Sequence, residues 1–148
     1  MMMRQMGYLL IFIFLTISCD LNNDAPSSCT KIGDCDKCIT TDRDLFNQTN
    51  TDNYTIQHAV INQDCLEITF SSSGCSGNSW EIELIDQGSI SETAILQRDL
   101  KLKLESFELC NAIITRTISF NLTSLQLNYE NKINLKIDGY NSLIRYEY

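Results

Sequence analysis

The sequence predicts an all-β domain, an antiparallel sandwich of about seven or eight short strands behind a disulfide-rich N-terminal loop. Three observations predict it. Apolar residues alternate with polar ones in many short runs from Tyr54 onward, the pattern of strands buried on one face. Turn-forming residues separate those runs. Ile and Thr are abundant and Pro occurs once, a composition that favours strands over helices.

The runs follow in order. Tyr54, Ile56 and Val60 share one phase, with His58 between them. Leu66, Ile68 and Phe70 form the next, then Trp80, Ile82 and Leu84. Leu100, Leu102 and Leu104 alternate with Lys101, Lys103 and Glu105. Ile118, Phe120 and Leu122 follow, then Leu125, Leu127 and Tyr129, then Ile133, Leu135 and Ile137, and last Ile144, Tyr146 and Tyr148. Turns are expected at 71–78, Asp86-Gln87-Gly88, Glu130-Asn131-Lys132 and Asp138-Gly139. The stretch from Glu105 to Arg116 reads as strand, turn and strand. Cys65, Trp80 and Cys110 repeat the Cys, Trp, Cys order of immunoglobulin domains, so an immunoglobulin-like sandwich is expected. Two features depart from that family. Glu108 stands where the tyrosine of the corner motif would be, and Cys65 is out of phase with Leu66, Ile68 and Phe70.

The first 53 residues are organised differently. Arg4 is the only charge before position 20, and Gly7 to Ile17 is an apolar run of eleven residues. A bilayer needs roughly 20, so 1–18 reads as a secretory signal rather than a span. Leu15-Thr16-Ile17-Ser18-Cys19 resembles a bacterial lipobox, whose Cys takes a diacylglycerol and becomes the first residue. Cysteine parity supports this reading over ordinary cleavage. Seven cysteines are present, and spending Cys19 on lipid leaves an even set of six: Cys29, Cys35, Cys38, Cys65, Cys75 and Cys110. Residues 19–28 then form a polar tether, 29–53 a Cys-rich loop segment and 54–148 the β domain. The expected location is the outer membrane, on its periplasmic or its outward face.

Charge narrows the partners. The chain carries −8, and removing the signal with Arg4 leaves 10 basic against 19 acidic side chains, −9. Nucleic acid is excluded, because phosphate binding needs a basic face. The lipid anchor makes the membrane one partner, and an envelope protein or glycan remains as another.

Six cysteines allow fifteen pairings. Cys75 with Cys110 inside the domain, Cys65 stapled to the N-terminal segment and a local remaining pair is the expected set. Cys35-Asp36-Lys37-Cys38 is a CxxC, but no thioredoxin-like βαβ pattern surrounds it. A zinc site there would draw on Cys29 or Cys65. Structural disulfides are therefore expected, with no cofactor and no metal.

Catalytic devices are weakly supported. His58 is the lone histidine and sits in strand phase. Ser73-Gly74-Cys75-Ser76-Gly77 imitates a nucleophile elbow, but Asn78 occupies the place of the last glycine. Glu81 and Glu83 share a strand face near Asp86, and paired carboxylates can hydrolyse glycosides, yet a small β domain rarely builds the needed cleft. No catalytic residue is expected. Tyr140, after Asp138-Gly139, is the candidate exposed aromatic, and with Ser76 and Asn78 it is the candidate binding surface. Trp80 is expected in the core.

The blocks CLEITFSSSGCSGNSWEIELID (65–86) and LKLKLESFELCNAIITRTISFNL (100–122), together with the lipobox, resemble small uncharacterised lipoproteins of the Bacteroidetes. The resemblance covers the first 20 residues and Cys65 to Tyr148. It implies an exported location and a β fold, and carries no ligand. The functional expectation is a non-catalytic binding or structural module of the envelope. The alternative is an anchored inhibitor of a cationic hydrolase, a lysozyme or protease, with 71–78 as the inserted element. A small hydrolase ranks third.

Overall fold

A computed structural model describes residues 34–148. Eight strands form one hydrogen-bonded sheet: β1 (Lys37–Thr41), β2 (Thr55–Asn62), β3 (Cys65–Gly74), β4 (Glu81–Ser91), β5 (Gln97–Glu105), β6 (Ala112–Asn121), β7 (Lys132–Ile137) and β8 (Ile144–Glu147). Their order across the sheet is β2-β3-β6-β1-β4-β5-β7-β8. The sheet coils until its edges, β2 and β8, lie against each other, a nearly closed barrel. Ends of this kind leave little unpaired edge.

The alternation read from the sequence is what the core uses. Leu66, Ile68, Phe70, Leu84, Leu100, Leu102, Phe120, Ile133, Leu135 and Tyr146 are wholly buried. They come from six different strands and point inward, while the intervening residues face water. Burying each large side chain contributes roughly 1.5–3 kcal/mol. Tyr54 donates its hydroxyl to the Leu102 carbonyl at 2.6 Å, which holds the start of β2 against β5.

The immunoglobulin-like arrangement is corrected in its pairing. Here β1 is parallel to both β4 and β6, and β5 is parallel to β7. Nor do Cys65 and Cys110 bridge two sheets across Trp80. Cys65 bonds to Cys35, and Cys110 lies outside any strand, bonded to Cys75.

The Cys-rich segment is also more ordered than a loop. It supplies β1 and a six-residue helix, α1 (Arg43–Gln48). Ile39 gives β1 an inward side chain. Asp42 caps α1, its carboxylate accepting from the Leu45 amide at 2.9 Å. Phe46 is the helix's buried residue, with the Lys101 ammonium 4.7 Å above its ring.

β1 is the seam of the sheet. Lys37 and Cys38 pair with Phe120 and Asn121 of β6, whereas Ile39, Thr40 and Thr41 pair with Leu84, Ile85 and Asp86 of β4. Five residues thus join β2-β3-β6 to β4-β5-β7-β8. Both ends are fastened by side chains. At the start, Asp36 accepts from the Ser119 amide at 2.9 Å and its hydroxyl at 2.7 Å. These bonds hold the Asp36 carboxyl below its ordinary value. Lys37 donates to the Ile82 carbonyl at 2.7 Å.

At its other end Thr41 donates to the Asp86 carboxylate at 3.2 Å. Asp86 is wholly buried and pairs with Arg98 at 2.8 Å. Burial pushes its carboxyl up, opposed by the guanidinium, by Thr41 and by the Gly88 amide. The expected turn at Asp86-Gln87-Gly88 is instead a bulge inside β4, where the register shifts between Asp86 and Ile90. Gly88 takes φ +77° there.

The run Leu125, Leu127, Tyr129 is no strand. Asn121 accepts from the Thr123 amide at 2.9 Å and turns the chain into a single 3₁₀ turn, Thr123–Leu125. Leu125 still reaches the core, while Tyr129 is exposed.

Replacing Asp86 by Ala leaves Arg98 buried without its partner. Urea unfolding is expected to show a loss of about 3 kcal/mol, most of it recovered in Asp86→Ala/Arg98→Met. A loss under 1 kcal/mol in the single variant contradicts this account.

Candidate functional site

Two neighbouring loops stand at one end of the sheet. β3 ends at Gly74 opposite Ala112, where β6 begins, and β4 begins at Glu81 opposite Glu105, where β5 ends. The β3–β4 loop (75–80) and the β5–β6 loop (106–111) therefore leave the sheet side by side. Sequence alone shows both as turns and does not show that they meet.

Two devices lock them together, and a third ties the β3–β4 loop to β6. The first is covalent: Cys75 and Cys110 form a disulfide with a Cα separation of 4.8 Å. The second is a backbone nest. The amides of Cys75, Ser76 and Gly77 converge on the Glu108 carboxylate, at 2.9 Å from Ser76 and 3.1 Å from Gly77. The Ser79 hydroxyl adds a bond at 2.8 Å. Successive amides bend around an anion only if the chain alternates its handedness, and Gly77 at φ +69° provides this. The third is Arg116, which donates to the Gly77 carbonyl at 2.7 Å and to the Asn78 side chain at 3.2 Å.

The Gly77 and Ser76 amides, with Ser79 and Cys75, pull the Glu108 carboxyl down to about 2. Glu108 is therefore an anion at any physiological pH, already satisfied by its own chain. Gly74 makes the close approach feasible. A Cβ there would stand 2.5 Å from the Glu108 carboxylate and 2.9 Å from the Trp80 ring.

What this frame holds out is apolar. Phe107 is 80% exposed and Leu109 95% exposed, on either side of the anchored Glu108, and Ile113 is 71% exposed just beyond. Single exposed apolar residues are common, but these three fall within seven positions of the chain. The sequence carries a faint signal of it. Leu100, Leu102 and Leu104 occupy even positions, whereas Phe107 and Leu109 occupy odd ones. The inward phase is broken after Glu105, so these side chains cannot continue the core face.

The residues singled out in the sequence are distributed differently. Ser76 and Asn78 belong to this frame. Tyr140 does not: it is half-buried, packed against the core, and lines a depression of about 310 Å³ with Gln97, Lys136 and Leu143. The expected surface of Tyr140, Ser76 and Asn78 is corrected accordingly, because the turn at Gly139 (φ +78°) folds Tyr140 back onto the core. Trp80 is buried as expected, its ring centroid 5.9 Å from that of Phe70.

His58 is exposed on β2, beside a bulge between Ile56 and His58. Glu81 is exposed, and Glu83 sits 3.4 Å from Lys103, which also reaches Glu105 at 2.9 Å. Asp86, buried against Arg98, is separate from them. Cys35 and Cys65 are bonded to each other, so neither is a free thiolate for zinc. Cys38 is also in a disulfide. Among the described residues no three His, Cys, Asp or Glu side chains gather as metal ligands, and no helix is long and apolar enough to cross a membrane. The expectations for Cys19, Cys29, the signal and the tether fall outside the described residues.

The nest is directly testable. A carboxyl lowered from 4.5 to about 2 strengthens the frame fully above pH 4.5, and that contribution is lost as pH falls toward 2. The backbone amide resonances of Ser76 and Gly77 are expected to titrate with a midpoint near 2, and Glu108→Gln to abolish the step. A midpoint above 4 contradicts the nest. Removing the disulfide with Cys75→Ser/Cys110→Ser opens a separation of 35 residues, for an expected loss of up to about 4 kcal/mol in thermal unfolding. An unchanged Tm rules out a stabilising bond.

Comparison with known proteins informs the fold alone. No family model matches the sequence, and no curated protein matches it. Two solved structures are similar in fold, each with a TM-score of 0.52 at 17% identity over 76% of this chain. One is a protein of unknown function, DUF1344, from Bacteroides vulgatus ATCC 8482; the other is described as toxin-related, from Parabacteroides distasonis ATCC 8503. The match spans 56% and 59% of those chains, under two thirds of each. The domain thus shares its fold with uncharacterised proteins of the Bacteroidetes.

Proposed function

We propose that this chain is an exported lipoprotein, held at the outer membrane through Cys19, whose β domain is a non-catalytic binding module of the cell envelope. The observation that carries the binding role is the exposed Phe107 and Leu109 on a loop fastened by Cys75–Cys110 and the Glu108 nest. A flexible loop bearing two large apolar side chains would bury them. Here the disulfide and the nest hold the loop and keep them in water, a cost that contact with a partner recovers.

Export is supported by the apolar run before Cys19 and by cysteines held in disulfides, which persist in oxidising compartments. The signal sequence and cysteine parity support the anchor. The non-catalytic reading rests on the scatter of the chemistry-bearing side chains. His58, on β2, and Glu81 and Glu83, on β4, belong to strands that are not neighbours in the sheet.

The second reading is an anchored inhibitor of a cationic hydrolase. It is favoured by one observation, that the loops are fastened in one shape with Phe107 and Leu109 exposed, as an element that fills an enzyme cleft would need.

In cells given labelled palmitate, the wild-type chain is expected to take up label and to fractionate with membranes. Cys19→Ser is expected to lose both. Equal labelling of the two chains would sink the anchoring reading.

A further inference from the structure

We infer that the β5–β6 loop is a docking element, and that its partner is a protein with an apolar pocket rimmed by basic residues. This deepens the binding-module reading and rests on it. Phe107 and Leu109 are the inserted side chains. The 71–78 segment, expected from sequence as the inserted element, acts instead as the brace behind them.

The apolar part follows from exposure and rigidity. Of the six large apolar side chains exposed among the described residues, Phe107, Leu109 and Ile113 fall within seven positions. Between the first two, Glu108 is tied back into the nest, and Cys110 is bonded to Cys75 immediately after. The loop is therefore held in one shape before any partner arrives. Little ordering entropy remains to be lost on binding, the condition under which a short loop binds tightly. A large aromatic such as Phe107 is a residue type enriched at interfaces.

The basic rim follows from charge. Glu81 and Glu105 stand directly opposite each other where β4 and β5 meet this end of the sheet, and both are exposed. Like charges in that position are locally destabilising. Lys103 offsets part of it, bridging Glu83 and Glu105. The other cations near this end are Lys37, whose ammonium reaches the Ile82 carbonyl between Glu81 and Glu83, and Arg116, bonded to Gly77 and Asn78. The carboxylates of Glu81, Glu83, Glu105 and Glu108 outnumber the three cations Lys103, Lys37 and Arg116 by one. The base of the apolar tip is thus net negative, on a chain that is itself −8. A basic surface relieves the Glu81–Glu105 repulsion on contact.

The same charge argues against the other occupants. Two copies would bring like-charged rims together. Anionic lipid would be repelled, since membranes of that kind attract basic patches.

The test uses a photo-crosslinking amino acid in place of Phe107, in the full chain, in cells of the source organism. A second chain carries it in place of Tyr129, which is exposed but isolated. The expected result is one dominant protein adduct, specific to position 107, with basic residues in excess. That protein, purified, is expected to bind the soluble Cys19→Ser chain. Phe107→Ser/Leu109→Ser should weaken binding by about 30-fold or more. Glu81→Gln/Glu105→Gln should weaken it and reduce its sensitivity to salt. Circular dichroism of the variants should match wild type, because the changed side chains are exposed. Adducts to lipid, glycan or a second copy overturn the proposal. So do the same adduct from position 129, no adduct at all, or undiminished binding by Phe107→Ser/Leu109→Ser. Because affinity is measured without the lipid, failure of the anchoring reading would show in palmitate uptake and leave this result standing.

Discussion

The fold depends on five residues of β1. Without Lys37–Thr41, the sheet falls into β2-β3-β6 on one side and β4-β5-β7-β8 on the other. Neither half alone encloses the core that Leu66, Leu84, Leu100, Phe120 and Tyr146 build together. A strand this short has few ladder hydrogen bonds to offer. Side chains at its ends supply the rest: Asp36 on Ser119, Lys37 on the Ile82 carbonyl, and Thr41 on Asp86. The buried Asp86–Arg98 pair is costly in isolation. Its place is explained by the seam, where one carboxylate binds Thr41 of β1 and Arg98 of β5 at once.

The same economy appears at the opposite end of β4. There a disulfide and three amides keep two loops in register, a guanidinium ties one of them to β6, and the structure they support is a pair of apolar side chains in water. Stability is spent on shape at that point, and the proposed contact surface rests on that shape.

Much of the fold is legible in the sequence, and the reason is periodicity. The inward sets Leu66/Ile68/Phe70, Leu100/Leu102/Leu104 and Ile133/Leu135/Ile137 alternate strictly, and all nine are buried. What is not legible depends on pairing between distant segments. Nothing in KCITT says that it lies between β4 and β6, since a strand flanked on both sides by parallel partners owes its place to them. Leu125 and Leu127 mimic a strand because Asn121 redirects the chain with a side-chain bond that periodicity cannot register. The candidate site fails for a related reason. Glu108 looks like a solvated acid until Cys75, Ser76 and Gly77 are brought to it from about 30 positions away. Tyr140 looks like a turn aromatic until the turn folds it inward.

The Cys35–Cys65 bond also has a mechanical meaning. A pull that reaches Cys35 has a covalent path into β3 at Cys65. β1, α1 and β2 all lie between these two residues and are bypassed by the load. Tension that would otherwise unzip the five residues of β1, one hydrogen bond at a time, is delivered to sulfur.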